Sequence, residues 1–317
     1  MTGNFLIIHL ATLVLIYGIL AVSLNLIMGI TGLFDMGHAG FFGIGAYTTA
    51  ILMANFNLPW IPAVLASILM AGLVAWVVGI PTLKLRGDYF AVVTMAAGEI
   101  ARSVFSNWMD VTRGPLGISN IPDISFLGID FKPGLPFFGL ALFLLLIVVF
   151  ISQRLIFSPF GRILKGIRED EGAGVEALGK NSYSNKIFIF VIGSGFAGLA
   201  GSLFATYISY IDPSTFTLML TNFILLIIIL GGKGNSIGAV IATILFVVLR
   251  EGTRFIGLPT SIAAPLQQWI FGLLIILVTI FAPRGLFPEK VQRWNIKPAA
   301  PSTPVISPSI EPDTQKS

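Results

Sequence analysis

Apolar residues in this chain gather into runs of membrane length. They do not alternate with polar ones, and they do not form a single stripe. A bilayer core about 30 Å thick is crossed by a helix of about 20 apolar residues. On that measure the chain predicts about nine spans, with eight to ten as the range. They cover residues 5–28, 39–54, 61–80, 89–106, 135–156, 186–211, 216–230, 236–255 and 265–281. The runs are too long for strands, and a membrane barrel would show alternation. The fold class is therefore all-α, a polytopic transmembrane helical bundle. The first run is too long for a signal-peptide core and has no Lys or Arg ahead of it. It reads as a retained helix with its N-terminus outside.

Two polar excursions interrupt the pattern. Residues 107–134 are rich in Gly, Pro and Asp and predict an ordered external loop. Residues 158–185 are strongly charged and predict an inner loop with helical content. Past residue 290 the chain turns to Pro, Ser and Thr, the composition of a disordered tail. The expected organisation is a membrane domain over 1–290 and a cytoplasmic tail over 291–317.

Composition narrows the class. Of 317 residues, 55% are hydrophobic and only 11% are charged, against roughly a quarter charged in soluble domains. The mean hydropathy is +0.91. A water-soluble domain is excluded, and so is disorder over most of the chain. There is no cysteine, hence no disulfide, no thiolate metal site and no thiol nucleophile. The net charge of +4 reports topology rather than affinity for nucleic acid. Most of the 19 Lys and Arg fall on one side of a nine-span arrangement. Arg113, Lys132, Arg250 and Arg254 fall on the other, and Arg102 lies within a span. By the positive-inside rule the crowded side is cytoplasmic, which puts the C-terminus inside.

Several spans are not plain anchors. Gly193, Ala197, Gly201 and Ala205 recur at every fourth position, beside Ser194, Gly198 and Ser202. Small residues at this spacing let helix backbones approach closely. They serve either packing or a sliding face. The same stretch matches G-x-G-x-x-G, but that fingerprint needs a preceding strand, and here it sits inside an apolar run. No metal-binding motif and no nucleophile elbow is present.

The second span is short and broken. Gly37, Gly40, Gly43 and Gly45 fall within nine residues, each costing about 1 kcal/mol in a helix relative to Ala. Irregular backbone at membrane depth needs protein or a water-filled cavity around it, and such breaks mark binding sites in transporters. Glu99 and Arg102 stand at spacing three on one helix face, as a structural ion pair or as a pair lining a pathway. His9 and His38 read as hydrogen-bonded structural residues without a proton-relay partner. Asn25 reads as interhelical glue.

In the inner loop, Ser158 and Pro159 start a helix with Phe160, Ile163, Leu164 and Ile167 on one side. A second short helix is expected over 175–178, stopped by Gly179. Arg168, Glu169, Asp170 and Glu171, followed by Glu176, Ala177, Leu178 and Gly179, resemble the coupling segment of ABC importer permeases. Further matching stretches are residues 37–47, 85–89, 98–100, 114–118 and 196–201. Together they resemble the branched-chain amino acid permease family, in its LivM-type member, over residues 10–285. Asp35 departs from the pattern, which expects a small polar residue there.

The resemblance implies a transporter subunit rather than an enzyme. It implies a second related permease (LivH-type), two cytoplasmic ATPase subunits and an external solute-binding protein as partners, in a bacterial inner membrane. No cofactor is expected in this chain, since ATP and Mg would be bound by the ATPase partners. Arg168, Glu169, Asp170, Glu171, Glu176, Ala177 and Gly179 would contact an ATPase. Gly37, His38, Gly40, Phe41, Phe42, Gly43, Gly45, Tyr47, Glu99 and Arg102 would shape the translocation path. Gly193, Ala197, Gly198 and Gly201 would pack helices. Branched-chain or other neutral amino acids are the expected solutes, with urea as the nearest alternative. An ion-coupled secondary transporter is a rival supported by the broken span and Glu99. A membrane-embedded enzyme lacks a catalytic constellation.

Overall fold

Among the described residues, helices form where the apolar runs predict them, with ends within about four residues. The computed structural model describes residues 2–84, 88–126, 129–169 and 179–255, with residues 269, 272, 273, 276, 280 and 285–287. The described residues hold α1 (Thr2–Thr31), α2 (His38–Ala50), α3 (Trp60–Thr82), α4 (Asp88–Asn107), α5 (Met109–Thr112), α6 (Leu135–Phe157), α7 (Pro159–Glu169), α8 (Ser182–Ile208), α9 (Leu218–Gly231) and α10 (Ser236–Phe255). The expected ninth run, 265–281, and the tail from 291 lie largely or wholly outside the described residues.

Nine full spans are not confirmed among the described residues. Five helical stretches are long and apolar enough to cross a membrane: Leu6–Thr31, Trp60–Thr82, Leu135–Phe157, Ser182–Ile208 and Pro213–Gly231. The helix Ser236–Leu249 is apolar but shorter. α2 has only 13 α-helical residues before a π-helical segment, Ile51–Asn55. α4 carries Asp88, Glu99 and Arg102 within 20 residues. Hydropathy registers apolar runs, but it is blind to where a helix starts relative to its neighbours.

α1 is the axis of the bundle and is buried continuously from Thr12 to Thr31. α6, α8 and α10 pack around it, while α2 lies against α8, α3 and α4. The α2–α8 contact depends on glycine. A Cβ on Gly45 would strike the backbone of Gly198, and one on Gly201 would strike the Phe42 carbonyl. Dispersion between closely approaching backbones holds such a pair where lipid removes the hydrophobic drive. The outward faces of α3 (Leu65, Leu69, Leu73, Trp76) and α6 (Phe143, Leu146, Phe150) are exposed and apolar, as a lipid-facing surface requires.

The excursion at 107–134 is ordered as expected, though partly by strands. β1 (Ile118–Ser119) pairs antiparallel with β4 (Tyr210–Ile211), placing Ile118 opposite Ile211. β2 (Ile124–Phe126) and β3 (Ile129–Phe131) form a hairpin. β4 follows α8 directly, so this cap closes the end of the bundle away from α7. At the other end α7 starts as predicted, with the Ser158 hydroxyl accepting the Gly161 N–H at 3.1 Å. Its Leu164 and Ile167 are buried in a cluster with Leu26 and Ile30 of α1, Ile156 of α6 and Ile189 of α8. The second short helix expected over 175–178 falls outside the described residues.

Candidate translocation and coupling site

The break between α1 and α2 organises the site. Gly32, at φ +73°, turns the chain out of α1. α2 then begins at His38, whose Nε2 lies 2.7 Å from the Ser23 hydroxyl. Ser23 stands eight residues before Thr31, so the contact is about 12 Å back along α1 at 1.5 Å per residue. α2 therefore starts inside the bundle, and the chain between residues 32 and 37 folds back into it.

Irregular backbone at that depth leaves N–H groups that water cannot reach, and each needs a partner. Gly37 N–H donates to Asp35 Oδ1 at 2.9 Å, Met36 N–H to Thr94 Oγ1 at 3.1 Å and Ala39 N–H to Thr221 Oγ1 at 3.1 Å. The start of α2 is thus held by hydroxyls from α4 and α9. Asp35, the departure from the expected small residue, has its other oxygen 3.0 Å from His38 Nδ1. Ser23, Asp35 and His38 are all fully buried. A buried carboxylate is tolerable when paired and hydrogen-bonded, and here it has both.

Both histidines are hydrogen-bonded, as their reading as structural residues expects. His38 bridges Asp35 and Ser23, and His9 Nδ1 lies 2.8 Å from the Tyr207 hydroxyl. The order Ser–His–Asp is that of an acyl-transfer triad. Complete burial of all three keeps solutes from Ser23, so the arrangement braces α2.

The expected path residues separate into two groups. Gly37, Gly40 and Glu99 line one cleft with Met36, Gly98 and Thr221, between the start of α2, α4 and α9. Glu99 and Arg102 pair at 2.7 Å, with side chains 36% and 37% exposed. The others are packed inward. Phe41 meets Phe190 edge-on, Phe42 packs on Phe204 and Phe216, and Gly43 fits between Phe105 and Phe216. Tyr47 stacks on Phe105 at 4.3 Å between ring centroids, and its buried hydroxyl has no hydrogen-bond partner among the described residues. Chemically, the cleft offers a helix N-terminus, which favours negative charge, close to an acid–base pair.

The coupling residues are placed in part. Arg168 and Glu169 end α7, with Arg168 Nη2 3.2 Å from Glu169 Oε1, and the Glu169 side chain is exposed. Arg168 also reaches inward, donating from Nη1 to the Gly29 carbonyl of α1 at 2.6 Å. Gly179 adopts φ +70°, with nothing near its Cβ position. Asp170, Glu171, Glu176 and Ala177 lie outside the described residues.

The small-residue stripe of α8 is used for close packing. Gly193 faces Ile27 and the Ser23 carbonyl, and Gly198 faces Ser67 and Ala71 of α3. Ala197 is fully buried, and Gly201 abuts α2. Asn25 does join elements, accepting the Gly234 N–H at 2.9 Å. Sequence reasoning missed Ser23, Thr94 and Thr221. Their one signal was a lone hydroxyl in an apolar run, a pattern shared with many residues that only bond their own helix.

Residues 6–281 match the family described as branched-chain amino acid transport system, permease component. The chain is 35% identical over 316 residues to the high-affinity branched-chain amino acid transport system permease protein LivM of Escherichia coli, covering 92% of this chain and 72% of the relative. It is 28% identical to the probable branched-chain amino acid transport permease protein LivM of Methanocaldococcus jannaschii, covering 87% and 91%. A nucleoside ABC transporter permease protein, NupC of Lactococcus lactis, is 24% identical over 81% of this chain and 86% of its own. No solved structure is significantly similar to the chain. With its α1–α2 break and α7 within the matched region, the chain belongs to the branched-chain amino acid transport permease family.

Proposed function

We propose that this chain is the membrane-spanning subunit of an ATP-driven importer of branched-chain amino acids, resident in the inner membrane with its N-terminus outside and its C-terminus in the cytoplasm. The observation that carries the proposal is the match to permease components across residues 6–281, supported by relatives named for branched-chain amino acid transport. The protein is a transporter subunit, and ATP and Mg are bound by partner ATPases. α7 and the charged chain after it dock those ATPases. A solute-binding protein delivers substrate to the capped end, formed by β1–β4 and the β2–β3 hairpin.

The cleft beside the start of α2 is this chain's share of the translocation path. Glu99 and Arg102 lie half-exposed among exposed apolar residues of α4, namely Val92, Met95, Ile100 and Val104. A charged pair is costly against lipid, so this face of α4 suits a second, LivH-type permease that closes the path. ATP binding would then favour one of two arrangements of the pair of permeases.

The test is to purify the complex from its native membrane and identify its subunits and the solute its binding protein holds. Leucine, isoleucine or valine, with ATP-dependent uptake in proteoliposomes, is expected. Urea in their place would overturn the substrate assignment. Uptake driven by an ion gradient without ATP would overturn the importer itself.

A further inference from the structure

Arg168 occupies a singular place between the surface helix and the membrane helices. α7 lies on the bundle by burying Leu164 and Ile167 against Leu26 and Ile30 of α1. Those contacts are apolar and non-directional, so they permit sliding. The guanidinium adds direction, since Nη1 donates to the Gly29 carbonyl at 2.6 Å. Gly29 sits in the last turn of α1, where carbonyls lack helical partners and carry the negative end of the helix dipole. The amide that would normally bond it is Leu33 N–H, but that group lies beyond the helix end and turns to Thr31 Oγ1 at 3.4 Å. Arg168 takes the vacated place.

The aliphatic stem completes the latch. Gly32 has φ +73°, and a Cβ there would sit 3.1 Å from Arg168 Cγ. The residue that turns the chain out of α1 is therefore roofed by the same side chain that caps α1. From Gly32 only five residues lead to His38, with Asp35 and His38 locked together on the way. The start of α2, which lines the cleft, is tied to α7 through Arg168, the end of α1 and this short chain.

We propose that Arg168 is a positioning residue that transmits movement of α7 to the α1–α2 break, in place of a direct ATPase contact. The proposal rests on α7 being the docking helix. It predicts that the contact changes geometry with nucleotide state and carries the α2 start with it. A charge-assisted bond to a carbonyl is directional, so a neutral amide at 168 loses the latch while the apolar seat of α7 remains.

The test uses the importer purified whole, with Arg168→Gln and Arg168→Lys in this chain. Since this chain has no cysteine, Phe34→Cys provides its one site for a spin label on the exposed loop, with the partner subunits prepared free of reactive cysteine. In the parent complex, a non-hydrolysable ATP analogue is expected to change the label's spectrum. Arg168→Gln should abolish that change and lower leucine uptake by about tenfold. ATPase subunits should still co-purify and hydrolyse ATP at the parent rate. Arg168→Lys should restore part of both signals.

Loss of ATPase co-purification in Arg168→Gln would overturn the proposal in favour of direct docking. A spectral change that survives Arg168→Gln, or is absent in the parent, would also overturn it. ATPases that fail to associate with the parent chain at all would instead sink the docking role of α7.

Discussion

The chain leaves a helix through glycine and re-enters one twice at the α7 end of the bundle, and the two junctions solve the same problem differently. After α9, Gly232 and Gly234 adopt positive φ and Asn235 caps α10, its Oδ1 accepting the Ile237 and Gly238 N–H groups at 3.1 and 3.2 Å. That turn lies at the end of its helix, where Asn235 caps the incoming helix and one other helix, α1, supplies a single partner, Asn25 to the Gly234 N–H. After α1, Gly32 turns the chain back into the bundle, and the start of α2 draws partners from three other helices: Ser23, Thr94 and Thr221. The two loops even touch, through Gly29 and Gly234. Depth separates them. Near the surface an unmet N–H finds water, whereas inside it costs about 1–3 kcal/mol.

If that contrast is right, damage should grow with burial. The largest effect is expected from His38→Leu, which strands the Asp35 carboxylate in the core and should destabilise by about 3–5 kcal/mol. A pronounced fall in the thermal midpoint of the detergent-solubilised protein would show it. Replacing Asp35 and His38 together with Asn and Leu should recover much of the loss, and a double variant no better than His38→Leu would count against the pair. Next comes Gly37→Ala, whose Cβ would meet the Thr94 carbonyl. Overpacking of this kind costs about 1–3 kcal/mol, whereas Gly139→Ala, inside α6 with open space around it, should raise the melting point slightly, by up to about 1 kcal/mol of stability.

Thr221→Val should leave the Ala39 N–H unpaired and cost about 1–2 kcal/mol. Faster amide exchange at the first turn of α2 is the expected signature. The smallest effect belongs to the other junction. Asn235→Ala removes a cap worth about 1 kcal/mol, and exchange should quicken at the start of α10 while α2 keeps its protection. Equal losses at the two junctions would erase the contrast.

The helices themselves were legible because apolar length is a one-dimensional property. The run at 135–156 becomes α6 and that at 61–80 becomes α3 with hardly a residue of adjustment. The Glu99–Arg102 pair was legible too, since spacing three along one helix fixes proximity. The α8 stripe gave away its packing role in kind but not in partner. Gly198 serves α2 and α3 at once, while Gly193 serves α1.

The partners of His38 were not legible because they arrive from opposite directions. Asp35 is local, but Ser23 is fifteen residues away on another helix. The inward bond of Arg168 was hidden for a related reason. Its charge and the motif around it suggest a solvated contact, yet its partner is a backbone carbonyl, which no side-chain pattern reveals.

The sequence by itself determined that this is a multi-helical membrane protein, where its helices run, that its second span is broken and which family it resembles. Those follow from runs, spacings and ordered motifs, which survive without coordinates. Only the tertiary structure decided that α2 begins inside the bundle, that Asp35 and His38 hold it there with Ser23, and that Arg168 ties α7 to α1. These depend on which buried backbone groups lack partners, and that is settled only when the helices are brought together.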